Sequence, residues 1–124
     1  MINVPKVLRS FQYAWRGIFD LFLYENNAKV HGLAAVAVVG LGTWLGLSGT
    51  EWALIVMQIG LVWAAEGFNT ALEKLADRVT TQQDPLIRAA KDLASGAVML
   101  VVIMAVVVGL LIFGPKVYLM YNVK

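Results

Sequence analysis

Cysteine is absent from this chain, which excludes disulfides, thiolate metal sites and cysteine nucleophiles. Charge is scarce. Asp, Glu, Lys and Arg make up 15% of the 124 residues, and ten Lys and Arg against eight Asp and Glu leave a formal charge of +2. That basic excess is too small for the dense Lys/Arg face that nucleic acid requires, so no nucleic-acid partner is expected. Proline occurs three times, at Pro5, Pro85 and Pro115. What fills the chain is apolar: 60% hydrophobic residues and a mean hydropathy of +0.73, too apolar for a soluble domain of this size. The expected class is an all-α membrane protein, one domain over residues 1–124. Three spans of roughly 20 residues consume about half of it, leaving no room for a separate soluble catalytic domain. Lys6 and Arg9 near the N-terminus are not followed by an uninterrupted apolar core and a small-residue cleavage site, so no cleaved signal peptide is expected.

Val4, Val7, Leu8, Phe11, Trp15, Ile18, Phe19 and Phe22 recur every three or four residues, with Lys6, Arg9, Gln12, Arg16 and Asp20 off that stripe. This predicts an amphipathic helix over about 5–24, opened by Pro5 and lying in the membrane interface; packing against other helices is the other use of such a stripe. A polar junction, Glu25 to His31, precedes the first span at about 28–48. Gly40, Gly42 and Gly46 within it follow no strand and precede no Gly-Lys-Ser/Thr, so they read as close-packing positions rather than a phosphate loop. The short Ser48–Glu51 turn implies an antiparallel hairpin with the second span, about 51–79. After the polar loop at 80–84, Pro85 starts the third span, about 85–113, and Gly114-Pro115 is expected to end it.

Lys6, Arg9, Arg16 and Lys29 precede the first span, and Lys74, Arg78, Arg88 and Lys91 lie between the second and third; the Ser48–Glu51 turn has no basic residue. The N-terminus and the 74–91 region are therefore expected in the cytoplasm, with Lys116 and Lys124 outside as a mild exception.

At about 100° and 1.5 Å per residue, Glu66, Asn69, Glu73 and Asp77 share one narrow helix face over about 16 Å. Three carboxylates on one face repel each other and need a cation, a basic partner or a bound ligand. Mg²⁺ suits them, because it takes carboxylate oxygens, keeps waters and bridges to phosphates. For Asp77 a surface pair with Lys74, Arg78 or Arg88 is an equal alternative. Glu66 directly follows the apolar run from Trp52 and is expected near the hydrocarbon boundary, where a carboxylate is functional by default and suits general-base work. Lys91, Asp92 and Ser95 stand at the start of the third span on the same side. Lys91 suits a polyphosphate, though any Lys at a helix end can snorkel. Glu25 is a further candidate metal ligand or an ordinary surface carboxylate. His31, lacking a spaced partner, reads as an interfacial hydrogen-bonding residue rather than a metal ligand.

With these residues in place, the chain resembles the small prokaryotic diacylglycerol kinase family, which includes undecaprenol kinases. Glu66-Gly67-Phe68-Asn69-Thr70-Ala71-Leu72-Glu73 followed by Asp77 matches the family pattern E-x-x-N-[ST]-A-[IL]-E-x-x-x-D. Ala90-Lys91-Asp92 with Ser95-Gly96-Ala97-Val98 is a second match, and Tyr13-Ala14-Trp15-Arg16-Gly17 with Glu25 a third. The resemblance implies a bacterial multi-pass cell-membrane lipid kinase, homotrimeric, with composite active sites on the cytoplasmic side and ATP with Mg²⁺ as co-substrate. It implies Glu66 as general base for the lipid hydroxyl, and Glu25 and Glu73 as the carboxylates holding the metal on ATP. Lys6, Tyr13, Lys91 and Asp92 match nucleotide contacts, Ser95 a lipid-side position, and Asn69 and Asp77 supporting positions. Lys6 stands where relatives often have Arg, and the Gln82–Asp84 loop departs from the Tyr/His-containing loop of some relatives. His31, Phe68-Asn69-Thr70 and Phe113-Gly114-Pro115-Lys116 are similar to the undecaprenol branch, with diacylglycerol the close alternative. From another class, a small proton-coupled transporter or ion pathway also explains Glu66 but leaves the other polar residues at one membrane edge without work. A structural membrane adaptor is the blandest reading.

Overall fold

The computed structural model describes residues 1–123; the expected outward placement of Lys124 lies outside the described residues. Among them the chain forms four helices, α1 (Val4–Tyr24), α2 (Asn26–Leu45), α3 (Gly49–Val79) and α4 (Pro85–Asn122), and no strand. The last three are long and apolar enough to cross a membrane, so the all-α reading with three spans and an amphipathic N-terminal helix holds.

Local chemistry sets the boundaries. Asn3 caps α1 by accepting the Lys6 backbone N–H at 3.1 Å, with Pro5 in the first turn. Glu25, extended at φ −97°, ψ 116°, is the single residue between α1 and α2. Ser48 and Glu51 form a reciprocal capping box at the start of α3, and Asp84 caps α4 through the Leu86 and Ile87 amides. Each cap satisfies amides that a helix start leaves unpaired. Gly46, at φ +73°, closes α2 in the left-handed region, with the Gly46 and Leu47 amides both bonding the Gly42 carbonyl.

The three glycines of the first span thus divide. Only Gly42 is packed closely, since a Cβ there would lie 2.8 Å from Leu47 and 2.9 Å from Trp52. Gly46 makes the turn, and Gly40 has open space about it, which corrects the expectation of close packing at all three.

The end of the last span is corrected too, because α4 runs through Gly114 and Pro115 to Asn122. Pro115 has no N–H and its ring crowds the Leu111 carbonyl, at about 3 kcal/mol in an ordinary helix interior. Unwinding at a membrane boundary strips more backbone groups of their partners, each worth several kcal/mol. Val117-Tyr118-Leu119-Met120-Tyr121 then offers no further breaker, and Lys116 Nζ, 3.1 Å from Glu51 Oε2, ties this segment to the start of α3.

Little is buried within one chain. Ala28 and Ala35 of α2, Ile55, Val62 and Ala76 of α3, and Val98 and Ile112 of α4 form its apolar core. Most large apolar side chains of the spans face outward, as a lipid solvent permits. The last turn of α1 does pack: the Phe22 ring meets Trp63 edge-on, centroids 5.0 Å apart at 87°, and Phe22 and Leu21 lie against Gly32 and Gly67, where an added Cβ would meet them only at ordinary contact distance. From Val4 to Phe19, α1 exposes its apolar stripe.

Candidate active site

Along α3 the polar face is buried in a gradient. Glu66 is 2% exposed and Asn69 7%, Glu73 is half-buried and Asp77 exposed. About 21 Å of helix separates Trp52 from Glu66, against a hydrocarbon thickness of about 30 Å. Within the chain the Glu66 carboxylate is closed off from solvent, and Asp77 is open to it.

Each member of the face has a partner of its own. Glu66 Oε1 lies 3.1 Å from His31 Nε2 on α2. With Glu66 ionised its carboxylate only accepts, which assigns the donor in this contact to the His31 Nε2–H. Asn69 Nδ2 donates to Glu73 Oε1 at 3.3 Å. The opposite amide orientation would set oxygen against oxygen, so the assignment follows from chemistry. Asn69 Oδ1 is left buried without a hydrogen-bond partner, an acceptor waiting for a donor. Asp77 pairs with Lys91 on α4, rather than with Lys74, Arg78 or Arg88. Lys74, one position beyond Glu73, lies with its Nζ 3.9 Å from Glu25 Oε1.

Two cavities flank this face. An apolar one of about 340 Å³ opens between α2, α3 and α4, with His31 and Trp63 among its walls together with Ala35, Ile59, Val106 and Phe113. Gln58 lines it as well, its Oε1 buried and unpartnered. A polar cleft of about 670 Å³ lies at the α3–α4 corner, bounded by Asp77, the Thr80–Asp84 loop, Arg88, Lys91 and Asp92. Asp92 there stands 4.0 Å from Arg88 across one helical turn.

The structure thus brings Asp77, Lys91 and Asp92 into one cleft, Glu25 beside Lys74, and Asn69 onto Glu73. It leaves Lys6 and Tyr13 on the exposed face of α1, where Tyr13 is 62% exposed and meets Arg16 at 5.8 Å. Ser95 is exposed on α4. Among the described residues no three His, Asp or Glu side chains converge as a ready-made cation cage. The donors present are carboxylate oxygens plus the orphaned Asn69 oxygen, which fit a hard, partly hydrated cation carried on phosphate.

The sequence reading gave His31 a hydrogen bond but no partner, and did not single out Gln58. A signal for the His31 pair was available: His31 and Glu66 are nearly equidistant from the Ser48 turn, so an antiparallel hairpin sets them at one level.

The chain's likeness to known proteins agrees with this layout. A family model described as prokaryotic diacylglycerol kinase matches residues 12–113. The undecaprenol kinase of Bacillus subtilis (strain 168) is 40% identical over 114 residues, covering 92% of this chain and 93% of that protein. A diacylglycerol kinase of Synechocystis sp. is 39% identical over 106 residues, 85% of this chain and 61% of that protein. The diacylglycerol kinase of Escherichia coli (strain K12) is 28% identical over 102 residues, 82% of this chain and 84% of that protein.

Proposed function

The chain belongs to the prokaryotic diacylglycerol kinase family, and from that premise we propose that it transfers the γ-phosphoryl group of ATP directly to the hydroxyl of a membrane lipid alcohol. It is a lipid kinase. Undecaprenol is the first substrate to test and diacylglycerol the second; the greater identity to the undecaprenol kinase, 40% against 28% for the Escherichia coli diacylglycerol kinase, supports that order. The observation carrying the chemistry is Glu66, a carboxylate 2% exposed, in contact with a histidine that also lines an apolar cavity. Such a cavity suits the hydrocarbon end of a lipid, and the carboxylate suits its hydroxyl.

In the reaction the lipid O–H breaks and Glu66 takes the proton. The lipid oxygen bonds to the γ-phosphorus, and the bond to the bridging oxygen breaks with its electron pair going to ADP. No residue is phosphorylated. Lys91 supplies positive charge to the phosphates from the polar cleft. Glu25 and Glu73 are the carboxylates suited to hold Mg²⁺, which when bound neutralises and orients phosphate oxygens. Asn69 orients Glu73 and keeps its own oxygen free for a donor on the substrates. Lys6, Tyr13, Asp92 and Ser95 complete the nucleotide and lipid contacts in a homotrimer whose sites are shared between subunits. Their exposure in the single chain is consistent with that assembly. The whole chain acts as one membrane domain, with the site facing the cytoplasm, where ATP is.

Protein purified into vesicles, given Mg·ATP and either undecaprenol or diacylglycerol, is expected to form the lipid phosphate, and chelation of Mg²⁺ to abolish it. Absence of both lipid phosphates would overturn the reading, and proton flux without ATP would replace it with a transporter.

A further inference from the structure

We infer that His31 is a positioning residue for Glu66: its Nε2–H fixes one carboxylate oxygen and leaves the other to meet the lipid hydroxyl. This rests on Glu66 being the proton acceptor proposed above.

Glu66 can turn about three side-chain bonds, and general-base work demands hydrogen-bond reach to the proton abstracted. Among the described residues the His31 contact is the one hydrogen bond the Glu66 carboxylate accepts, no Lys or Arg forms an ion pair with it, and its Oε2 accepts no hydrogen bond. One donor therefore sets the orientation, and one oxygen is spare. The donor type matters too. An imidazole donates without an obligatory positive charge, unlike Lys or Arg, so it orients the carboxylate without the full cation that would make it a poor proton acceptor. Placement completes the case, because His31 also lines the apolar cavity. The imidazole therefore stands between that cavity and the Glu66 carboxylate it touches.

The competing explanation is a mechanical pin. Among the described residues this is the sole side-chain hydrogen bond joining α2 to α3, and a pin would affect folding rather than chemistry. The two differ in what they do to kcat at fixed folding. His31→Leu removes the donor and should lower kcat about 10- to 100-fold, with the KM for ATP within about two-fold because the nucleotide end is untouched. His31→Gln retains an N–H donor and should recover kcat to within about three-fold of the parent. Combined with Glu66→Gln, His31→Leu should cost nothing further, since two residues acting as a unit are not additive. Thermal unfolding of each variant in the same detergent separates folding loss from chemical loss.

The inference is overturned if His31→Leu keeps kcat within about three-fold of the parent, if Gln fails to rescue, or if the loss persists in the Glu66→Gln background. A fully active Glu66→Gln single variant would overturn the proton-acceptor assignment itself, and that outcome is visible independently of any His31 variant.

Discussion

Glu51 and Glu66 stand about 22 Å apart on α3, and each reaches a basic side chain on a neighbouring helix. Glu51 accepts the Ser48 backbone N–H at 2.8 Å and pairs with Lys116 at 3.1 Å, with water at hand for the rest. Its Oε2 takes both contacts, one in a capping box and one in a clasp between α3 and α4, and that employment is wholly structural. Glu66 caps nothing, has almost no water, and has one neutral-capable donor. An acidic side chain in an apolar helix is therefore informative through what satisfies it, rather than through depth or sequence neighbours alone.

The largest expected effect tests that contrast directly. Glu66→Gln keeps the shape and removes the proton acceptor, so kcat should fall about 100- to 10,000-fold with folding retained. Glu51→Gln should leave activity per folded molecule within about two-fold and lower the unfolding temperature, because it loosens an exposed cap and pair. Lipid-phosphate formation beside thermal unfolding checks both. Equal losses of activity would erase the distinction between the two glutamates.

A smaller effect divides the polar face itself. Glu73→Gln should raise the Mg²⁺ concentration needed for half-maximal rate about 10-fold or more at saturating ATP, as loss of one of two carboxylate ligands requires. If Glu73 serves only to hold the Asn69 amide, the rate should fall without any shift along the Mg²⁺ axis. A metal titration of parent and variant reads the difference.

Periodicity and breakers made most of the fold legible. The end of α3 at Val79, the start of α4 at Pro85 and the α1–α2 elbow at Glu25 follow from polar loops and caps that act within a few residues. Pro115 misled because a helix breaker is weighed locally, whereas continuation of α4 is decided by the cost of bare backbone in lipid and by a contact with Glu51 on another helix. The polar face of α3 was legible for the same reason as the helices, being a property of one helix. Its partners were not. His31 and Lys91 are brought to Glu66 and Asp77 by hairpin register, which a turn position sets but a residue-by-residue reading does not use. Asp77 and Lys91, like Glu51 and Lys116, are nearly equidistant from Asp84, so one α3–α4 register accounts for both ion pairs.

That shared register also defines the smallest effect. Ser48 Oγ accepts the Glu51 backbone N–H at 3.2 Å, so Ser48→Ala deletes half of the capping box and costs about 1 kcal/mol of stability. It leaves the Lys116 pair and everything at the level of Glu66 in place. Stability measured by denaturant in detergent should fall while kcat and both KM values stay unchanged. If kcat falls instead, strain at the start of α3 reaches the His31–Glu66 level through the α2–α3 hairpin that Ser48 closes. The two ends of the helix would then be one mechanical unit, and the separation of structural from chemical glutamates would have to be drawn elsewhere.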